Sequence, residues 1–144
     1  MLVSQILKSK SDDAVVTSLP SMLISEAAKL LSEKRIGTLV ISSDGQTPDG
    51  ILSERDIVRE LGRQGAQCLP LTVDKLMTTK LVTCGRDDRA DEILKKMTEG
   101  RFRHMPVLDE GKLVGLISLG DVVKARLSEL AMEKDALEGM IMGH

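Results

Sequence analysis

A seven-residue pattern that occurs twice constrains the fold of this chain more than any other feature. It reads Gly50-Ile-Leu-Ser-Glu-Arg-Asp56 in the first copy and Gly115-Leu-Ile-Ser-Leu-Gly-Asp121 in the second. In both copies two aliphatic residues continue a buried strand. A Ser followed three residues later by Asp is typical of a helix N-cap. The same groups can also serve a ligand, because a helix start offers unpaired N–H donors to phosphate and a carboxylate can accept from a ribose diol.

The match extends outward from these anchors, with pairs 66 residues apart (82 − 16) upstream of the turn and 65 apart (115 − 50) within it, because the second copy has one residue fewer in the loop between them. Val16-Thr17 matches Val82-Thr83, Glu26 matches Glu92, Arg35 matches Arg101, and Ile41 matches Val107. Further upstream, the residues Val3, Ile6 and Leu7 are echoed by Val73, Leu76 and Met77. The chain is therefore an internal duplication, and its fold should consist of two similar units.

Hydrophobic periodicity and turn residues predict the same elements in each copy. In the first copy we predict helices over 3–8 and 24–34, strands over 14–18, 38–42 and 50–52, and a helix over 57–61. Gly37 should terminate the helix over 24–34, and Gly62 with Gly65 should close the helix over 57–61. In the second copy we predict strands over 81–84, 104–108 and 113–117, a helix over 89–98, and a helix from Gly120 that runs past the repeat. The fold class is α/β (α+β), with two β-α-β-β-α repeats packed with approximate two-fold symmetry.

These repeats resemble a tandem pair of CBS domains. The resemblance is carried by the repeated Gly-aliphatic-aliphatic-Ser-x-x-Asp turn, by the run His104-Met-Pro-Val-Leu-Asp109 and by Leu76-Met-Thr78 at the start of the second unit. It covers residues 3 to about 127 and implies repeats at 1–66 and 67–127, with a linker at 67–72. Residues 128–144 are then a helical tail.

The resemblance implies adenine-nucleotide binding in two clefts between the repeats, with AMP, ATP or NAD(H) as ligand. Asp56 and Asp121 would accept from ribose hydroxyls, and Ser53 and Ser118 would contact ribose or phosphate. The remaining implied positions are Thr17 and Thr83 at the inner edges of the clefts, Gly37-Thr38-Leu39 and Arg103-His104-Met105 along the adenine edge, and Ile36, Ile51 and Leu116 over the ring faces.

The two copies differ in their cationic residues. Arg55 in the first turn has no counterpart at Gly120, and Arg103 with His104 replaces Gly37 with Thr38. The cationic cluster of Arg101, Arg103 and His104 beside a helix start suits a phosphate, so we predict that it contacts ligand phosphates, and Arg55 is a further candidate ligand contact. The alternative is a solvated turn, with Arg35 and Arg101 as helix C-terminal charges.

Composition excludes several functions. The net charge is −2 and the single aromatic residue is Phe102, so neither a basic field for nucleic acid nor a base-stacking platform is present. No stretch has the length or apolar composition of a signal peptide or a membrane span. Cys68 and Cys84 lack the spacing of a zinc or redox site, which predicts free thiols and a cytoplasmic location. No metal is expected, and His144 supports no argument.

A catalytic role is not indicated. The sequence contains no Cys-His or His pair, no nucleophile elbow and no phosphate-binding Gly-rich loop. Asp56 and Asp121 lie in different repeats, each with its own Ser, and are therefore equivalent binding groups. We predict a non-enzymatic sensor of energy or redox state. The alternative is a ligand-independent dimerisation module that docks an unidentified target protein.

The C-terminal segment predicts self-association. Apolar residues recur with the spacing of a coiled-coil seam, at Val123, Leu127, Leu130, Leu137 and Ile141. Lys134 occupies one position of this seam, which weakens a long coiled coil. A narrow stripe of this kind favours a homodimer, although the same face can instead fold back on its own domain.

Overall fold

The computed structural model describes residues 1–10 and 15–141, and within them the chain alternates helices with short strands. In chain order the elements are α1 (Val3–Ser9), β1 (Thr17–Ser18), α2 (Ile24–Lys34), β2 (Thr38–Ile41), β3 (Gly50–Ser53), α3 (Glu54–Gln64), α4 (Ala90–Gly100), β4 (His104–Asp109), β5 (Lys112–Ser118) and α5 (Leu119–Ile141). Two short 3₁₀ turns, Gly65–Cys68 and Val73–Lys75, lie between α3 and α4. Part of the strand predicted over 14–18, and His144, lie outside the described residues.

These elements form two compact units that do not coincide with the two sequence repeats. The N-repeat unit contains residues 15–82 and 110–114, and the C-repeat unit contains residues 1–10, 83–109 and 115–141. The first helix of the chain, α1, therefore belongs to the unit built mainly from the second repeat. The mixed helix-and-sheet class predicted from the sequence is confirmed.

The N-repeat unit is built on a three-stranded sheet with the order β1-β2-β3. β1 runs parallel to β2, and β2 runs antiparallel to β3, with Thr38 opposite Ser53 and Ile41 opposite Gly50. All four residues of β2 are buried because helices cover the sheet. The buried cluster beneath α2 and α3 consists of Ile24, Ala27, Leu31, Leu39, Ile41, Leu52, Ile57 and Val73.

The C-repeat unit contains three helices together with β4 and residues 115–118 of β5, and β4 and β5 pair in a two-stranded sheet. Helix α5 contacts both α4 and α1. The fully buried apolar side chains of the unit include Val3, Ile6, Ala90, Ile93, Met97, Met105, Val107, Ile117 and Val122. A tight turn joins the two strands, and both of its central residues, Glu110 and Gly111, have positive φ angles of 51° and 80°, as a type I′ hairpin turn requires.

The glycine that opens each repeated turn packs against the segment that precedes the other repeat in sequence. A Cβ atom on Gly115 would lie 2.7 Å from Leu7 Cδ2, and one on Gly50 would lie 2.6 Å from Met77 Sδ. Leu7 and Met77 are the matching residues of the two upstream segments. An alanine at either position would force the packed Leu7 or Met77 side chain to move, which favours glycine at these close approaches. The segment before the first repeat therefore packs in the C-repeat unit, and the segment before the second repeat packs in the N-repeat unit.

The strand predicted over 81–84 is wrong, and a proline explains the difference. In the first repeat, Val40 N–H donates to Val16 O at 3.1 Å and so joins β1 to β2. The matching position in the second repeat is Pro106, which has no N–H to donate. Only a single bridge forms there, with Cys84 N–H donating to Pro106 O at 3.0 Å.

One predicted helix terminator and two predicted helix starts are also corrected. Helix α2 spans the predicted residues 24–34, but its C-cap is Arg35 and not Gly37, because Arg35 adopts the left-handed conformation at φ 54°, and Arg101 does the same after α4 at φ 56°. Helix α3 begins at Glu54, three residues before the predicted start, and continues through Gly62 to its C-cap at Gly65. Helix α5 begins at Leu119, one residue before the predicted start at Gly120.

Candidate functional site

Ser53 and Asp56 form a reciprocal capping box at the start of α3. Asp56 N–H donates to Ser53 Oγ at 3.2 Å, and Ser53 N–H donates to Asp56 Oδ2 at 2.9 Å. The Ser53 hydroxyl also donates to Oδ2, and Arg59 lies 3.2 Å from Oδ1. Both carboxylate oxygens of Asp56 are therefore engaged, and the predicted N-cap role is confirmed.

Ser118 and Asp121 form the matching capping box at the start of α5. Asp121 N–H donates to Ser118 Oγ at 3.1 Å, and Ser118 N–H donates to Asp121 Oδ2 at 2.9 Å. Lys10 Nζ lies 2.9 Å from the same oxygen, Oδ2, and also donates to Leu116 O at 2.9 Å. Within the described residues Oδ1 of Asp121 accepts no hydrogen bond. The two repeated aspartates therefore differ in their capacity to accept a further donor.

The pKa of Asp121 is shifted by opposing influences. Burial raises the pKa of this carboxyl, but the Ser118 backbone N–H and the Lys10 ammonium both stabilise the carboxylate. The net result is a pKa below the ordinary value of 3.8. Asp121 is therefore ionised at neutral pH and remains a charged acceptor.

A pocket of about 390 Å³ lies beside Asp121 in the C-repeat unit. It is lined by Met1, Ile6, Ser9, Lys10, Asp121, Lys124, Ala125 and Ser128. Lys10 and Lys124 supply positive charge, and the serine hydroxyls can donate or accept. A small anionic molecule with hydroxyl groups fits this combination of donors, cations and one ionised acceptor.

Backbone hydrogen bonds link the segments predicted to lie along the adenine edge to the starts of α3 and α5. Glu54 N–H donates to Gly37 O at 2.9 Å, and Leu119 N–H donates to Arg103 O at 2.8 Å. Gly37 and Thr38 therefore lie beside the first capping box, and Arg103 lies beside the second. The structure brings these predicted residues together within each unit, through the same hydrogen bond in both copies.

The other predicted positions lie at varied depths. Thr38 and Met105 are buried, whereas Ile36, Thr83 and His104 are half-buried. Thr17 is exposed, and its register partner is Val40. Because Met105 is fully buried, it offers a ligand its backbone only. Thr83 precedes the Cys84 bridge and is not in a strand.

The predicted cations lie on the surface. Arg55, Arg101 and Arg103 are exposed, and none of them forms an ion pair with a carboxylate of the described residues. Arg101 is the left-handed C-cap of α4, as the alternative interpretation of this residue as a helix-terminal charge required. Arg103 combines an unpaired guanidinium with a position beside the start of α5. It is the stronger candidate for a phosphate contact.

A second pocket, of about 470 Å³, lies between α2 and α3 in the N-repeat unit. It is lined by Ala28, Leu31, Ser32, Arg35, Ile36, Gly37, Glu54, Ile57 and Val58. It includes the predicted residues Ile36 and Gly37 but neither Ser53 nor Asp56. Its lining is mainly apolar and contains a single arginine, so it suits a phosphate less well than the pocket beside Asp121.

Sequence reasoning missed Lys10 and Lys124 as candidate site residues. Lys10 lies in the segment after α1, far in sequence from Asp121, and only the packing of α1 on the C-repeat unit brings the two together. Lys124 follows Asp121 by three residues on α5, and in the sequence it has the character of an ordinary surface lysine. Helical spacing from Asp121 was the one available signal, because residues three apart share a face.

The described residues offer neither a metal site nor a membrane-spanning helix. In residues 1–10 and 15–141, no three His, Cys, Asp or Glu side chains are grouped closely enough to hold a metal ion. Over the same residues, every helix is too short or too polar to cross a membrane. Cys68 and Cys84 are both free and buried.

Comparison with known proteins agrees with the two repeats. The family model for the CBS domain matches twice, at residues 3–63 and 73–128. Among solved structures, the CBS-domain containing protein ATU1752 from Agrobacterium tumefaciens is 42% identical with a TM-score of 0.82, covering 88% of this chain and 99% of that one. Two adjacent CBS domains therefore define this class of protein, and the chain belongs to the CBS domain family.

Two other relatives extend the comparison. The CBS domain-containing protein CBSX3, mitochondrial, of Arabidopsis thaliana is 30% identical, covering 98% of this chain and 72% of its own length. The CBS domain pair of protein MJ0100 was solved in complex with 5-methylthioadenosine and S-adenosyl-L-methionine. It is 26% identical with a TM-score of 0.76, covering 90% of this chain and 98% of that one.

Proposed function

We propose that this chain is a regulatory CBS pair that binds an adenine nucleotide and thereby senses energy or redox state. The observation that carries the proposal is ionised Asp121, whose Oδ1 accepts no hydrogen bond from residues 1–10 and 15–141, at a pocket that also contains Lys10 and Lys124. CBS-pair proteins are generally regulatory or signalling modules and not enzymes. The complex of MJ0100 with two adenosine-containing ligands supports adenosine as the common element of the ligand.

The chemistry of each ligand part follows from the groups that surround Asp121. Oδ1 of Asp121 accepts from ribose hydroxyls, while Oδ2 stays engaged in the capping box. Lys124 and Arg103 provide charge for phosphates, because charge-assisted hydrogen bonds are the stronger kind. AMP, ATP and NAD(H) all combine a ribose diol with anionic phosphate, and no metal is needed for either contact.

The first repeat is proposed to bind more weakly or to take a different ligand. Both oxygens of Asp56 already have partners, so a ribose must displace Arg59 or share an oxygen. Arg55 is the cation nearest to this capping box in sequence and is the proposed phosphate contact there. Ser53, Thr17 and Thr38 remain proposed contacts of this first site.

A second candidate function, docking and dimerisation without a ligand, is favoured by a different observation. Helix α5 carries a row of exposed apolar residues beyond its contacts with the C-repeat unit. We propose that the protein is a homodimer that can present its helices to a target protein. We also propose a cytoplasmic location. Cys68 and Cys84 are both free, as cysteines usually are in a reducing compartment.

Arg103→Ala tests the nucleotide proposal against simple structural damage. If the guanidinium contacts phosphate, the variant should bind AMP, ATP or NADH at least about tenfold more weakly, equivalent to about 1.4 kcal/mol, and bind adenosine almost as well as wild type. Calorimetric titration with each compound measures the difference. Arg63→Ala, which removes an exposed arginine of α3, is the matched control.

The outcomes separate the two candidate functions. Equal losses for AMP and adenosine would show that Arg103 acts through the structure of the turn. Absence of binding to every adenine compound, in protein shown by mass spectrometry to carry no small molecule, would overturn the sensor proposal in favour of ligand-independent docking.

A further inference from the structure

One face of α5 carries apolar side chains that nothing in the described chain covers. Val123, Leu127, Leu130, Leu137 and Ile141, here called the α5 stripe, are 39%, 63%, 48%, 59% and 84% exposed. The exposure includes both the segment that packs on the C-repeat unit and the segment beyond it. The alternative that this face folds back on its own domain is therefore wrong for the described residues.

The stripe lies on a different side of the helix from the residues that pack on the domain. Val122 and Ala125 are buried and face α1 and α4. At about 100° per residue, the α5 stripe is centred roughly 130° around the helix from that buried face. The two faces can therefore be used at the same time, one within the chain and one with a partner.

The charges beside the stripe argue against a parallel pair of helices. In the heptad that places Leu130 and Leu137 at d, Lys134 occupies a, Glu133 occupies g and Glu138 occupies e. A parallel pair would place the two Lys134 side chains opposite each other in the seam. It would also place Glu133 of each copy beside Glu138 of the other. The charged contacts that flank the seam would then be repulsive.

An antiparallel pair separates the two Lys134 side chains and replaces the contacts between Glu133 and Glu138. With Leu130 of one copy opposite Lys134 of the other, Leu127 meets Leu137 and Val123 meets Ile141, which fills every layer of the stripe. Lys124 then lies beside Glu138 of the second copy at both ends of the seam. The two Glu133 side chains meet near the centre, where the two Lys134 ammonium groups offset their charge while the lysine stems cover Leu130.

We infer that two copies of this chain pair through the α5 stripe in antiparallel orientation, with Lys124 of each copy against Glu138 of the other. This inference rests on the proposed homodimer and adds its register. In the isolated chain Glu138 lies 3.8 Å from Lys134, and both side chains are exposed. Pairing with Lys124 of a second copy therefore replaces only a weak surface contact.

Disulfide trapping tests the orientation directly. Leu127→Cys and Leu137→Cys proteins, carrying tags of different size, are oxidised separately and as an equimolar mixture. Antiparallel pairing predicts a cross-linked product that contains one copy of each variant and little product from either variant alone. Wild-type protein is the control for Cys68 and Cys84, which are buried and should not cross-link.

Every other outcome overturns the inference in a recognisable way. Efficient cross-linking of each variant with itself would indicate parallel helices. A wild-type dimer in sedimentation without any cross-link at these positions would place the interface elsewhere and leave the homodimer proposal intact. A monomer at micromolar concentration would overturn both.

Charge reversal provides a second readout. Lys124→Glu should raise the dimer dissociation constant by about twofold to fivefold per contact, the range of exposed ion pairs. Adding Glu138→Lys should recover most of that loss, compared with Glu138→Lys alone as the matched control. Recovery is expected only if the two positions face each other, and additive losses would contradict the register.

Discussion

At the scale of single residues, the repeated Ser-x-x-Asp turn has one role that is visible and one that is proposed. In both copies the Ser and Asp side chains satisfy the backbone N–H groups at a helix start, and this alone explains the pairing of residue types. The copies diverge in what else touches the carboxylate. Arg59 lies 3.2 Å from the second oxygen of Asp56, whereas Lys10 shares the capping oxygen of Asp121, and no group in the part of the chain that the structure describes bonds to its other oxygen.

Lys10→Met should raise the pKa of Asp121, because the variant loses an ammonium group 2.9 Å from the carboxylate. The pKa of Asp121 is lower in the folded state than in the unfolded state. Ionised Asp121 therefore stabilises the folded state above the unfolded-state pKa, and this stabilisation is lost as the pH falls through the folded-state pKa. The stability difference between wild type and variant should therefore be present at pH 7 and shrink on acidification. Carbon-detected NMR titration of the Asp121 carboxyl measures the shift.

Lys29→Met is the matched control for this change. Lys29 lies 3.9 Å from Glu33 in an exposed pair on α2, and its removal should leave the pKa of Asp121 where it is. For Lys10→Met, a stability loss of up to about 1 kcal/mol at pH 7 is expected from such a partly exposed pair. An unchanged pKa of Asp121 would show that Lys10 does not bind this carboxylate in solution.

At the scale of elements, the glycine that opens each repeated turn is fixed by the segment packed against it. Gly115→Ala should destabilise the protein by about 1–3 kcal/mol, because its Cβ would meet Leu7 at 2.7 Å in a buried contact. In the Leu7→Ala background, where space is available, the same substitution should cost much less. Urea unfolding of the single and double variants measures this coupling.

Gly62→Ala provides the opposite expectation in the same experiment. Gly62 lies inside α3 and nothing lies within 4 Å of the position of its Cβ. Alanine there should stabilise the protein by about 1 kcal/mol through helix propensity. If Gly115→Ala were as harmless as Gly62→Ala, the packing of α1 on the C-repeat unit would be wrong.

Most elements could be predicted because their signals are local. The periodicity of α2 and α4, the alternation of strands with turns and the Ser-x-x-Asp caps each depend on neighbours in sequence. The failures arise where distant partners decide. Pro106 removes the hydrogen bond that would make residues 81–84 a strand, and Arg35 and Arg101 adopt the left-handed conformation at positions where glycine is usual.

The candidate site divides in the same way. Sequence repetition identified Ser118 and Asp121, and a difference between the copies identified Arg103. The hydrogen bond from Leu119 N–H to Arg103 O shows that these residues lie together. Lys10 could not be found, because its contact with Asp121 depends on α1 joining the unit of the other repeat. The echo of Val3, Ile6 and Leu7 at Val73, Leu76 and Met77 was visible in the sequence, but it does not reveal which repeat each segment packs on.

At the scale of the whole molecule, duplication supplies two similar half-structures, and divergence makes them unequal. The first capping carboxylate is fully engaged, and the pocket beside the second contains two lysines. Adenine nucleotides should therefore bind in two distinguishable steps or at one site only. Two identical and independent sites would contradict this asymmetry, since they would require Asp56 and Asp121 to act alike.

The most direct test of nucleotide binding at Asp121 is calorimetric titration of wild type, Asp121→Asn and Asp88→Asn with AMP, ATP and NADH. Asparagine keeps an oxygen for the Ser118 N–H but removes the charge. Asp88 is the matched control because it accepts the Gly85 N–H at 2.7 Å, also three residues back in sequence. The account predicts that Asp121→Asn weakens the tighter step by tenfold or more, about 1.4 kcal/mol, while Asp88→Asn binds as wild type does. Wild-type affinity in Asp121→Asn, or no binding of any of the three nucleotides to ligand-free wild type, would contradict it.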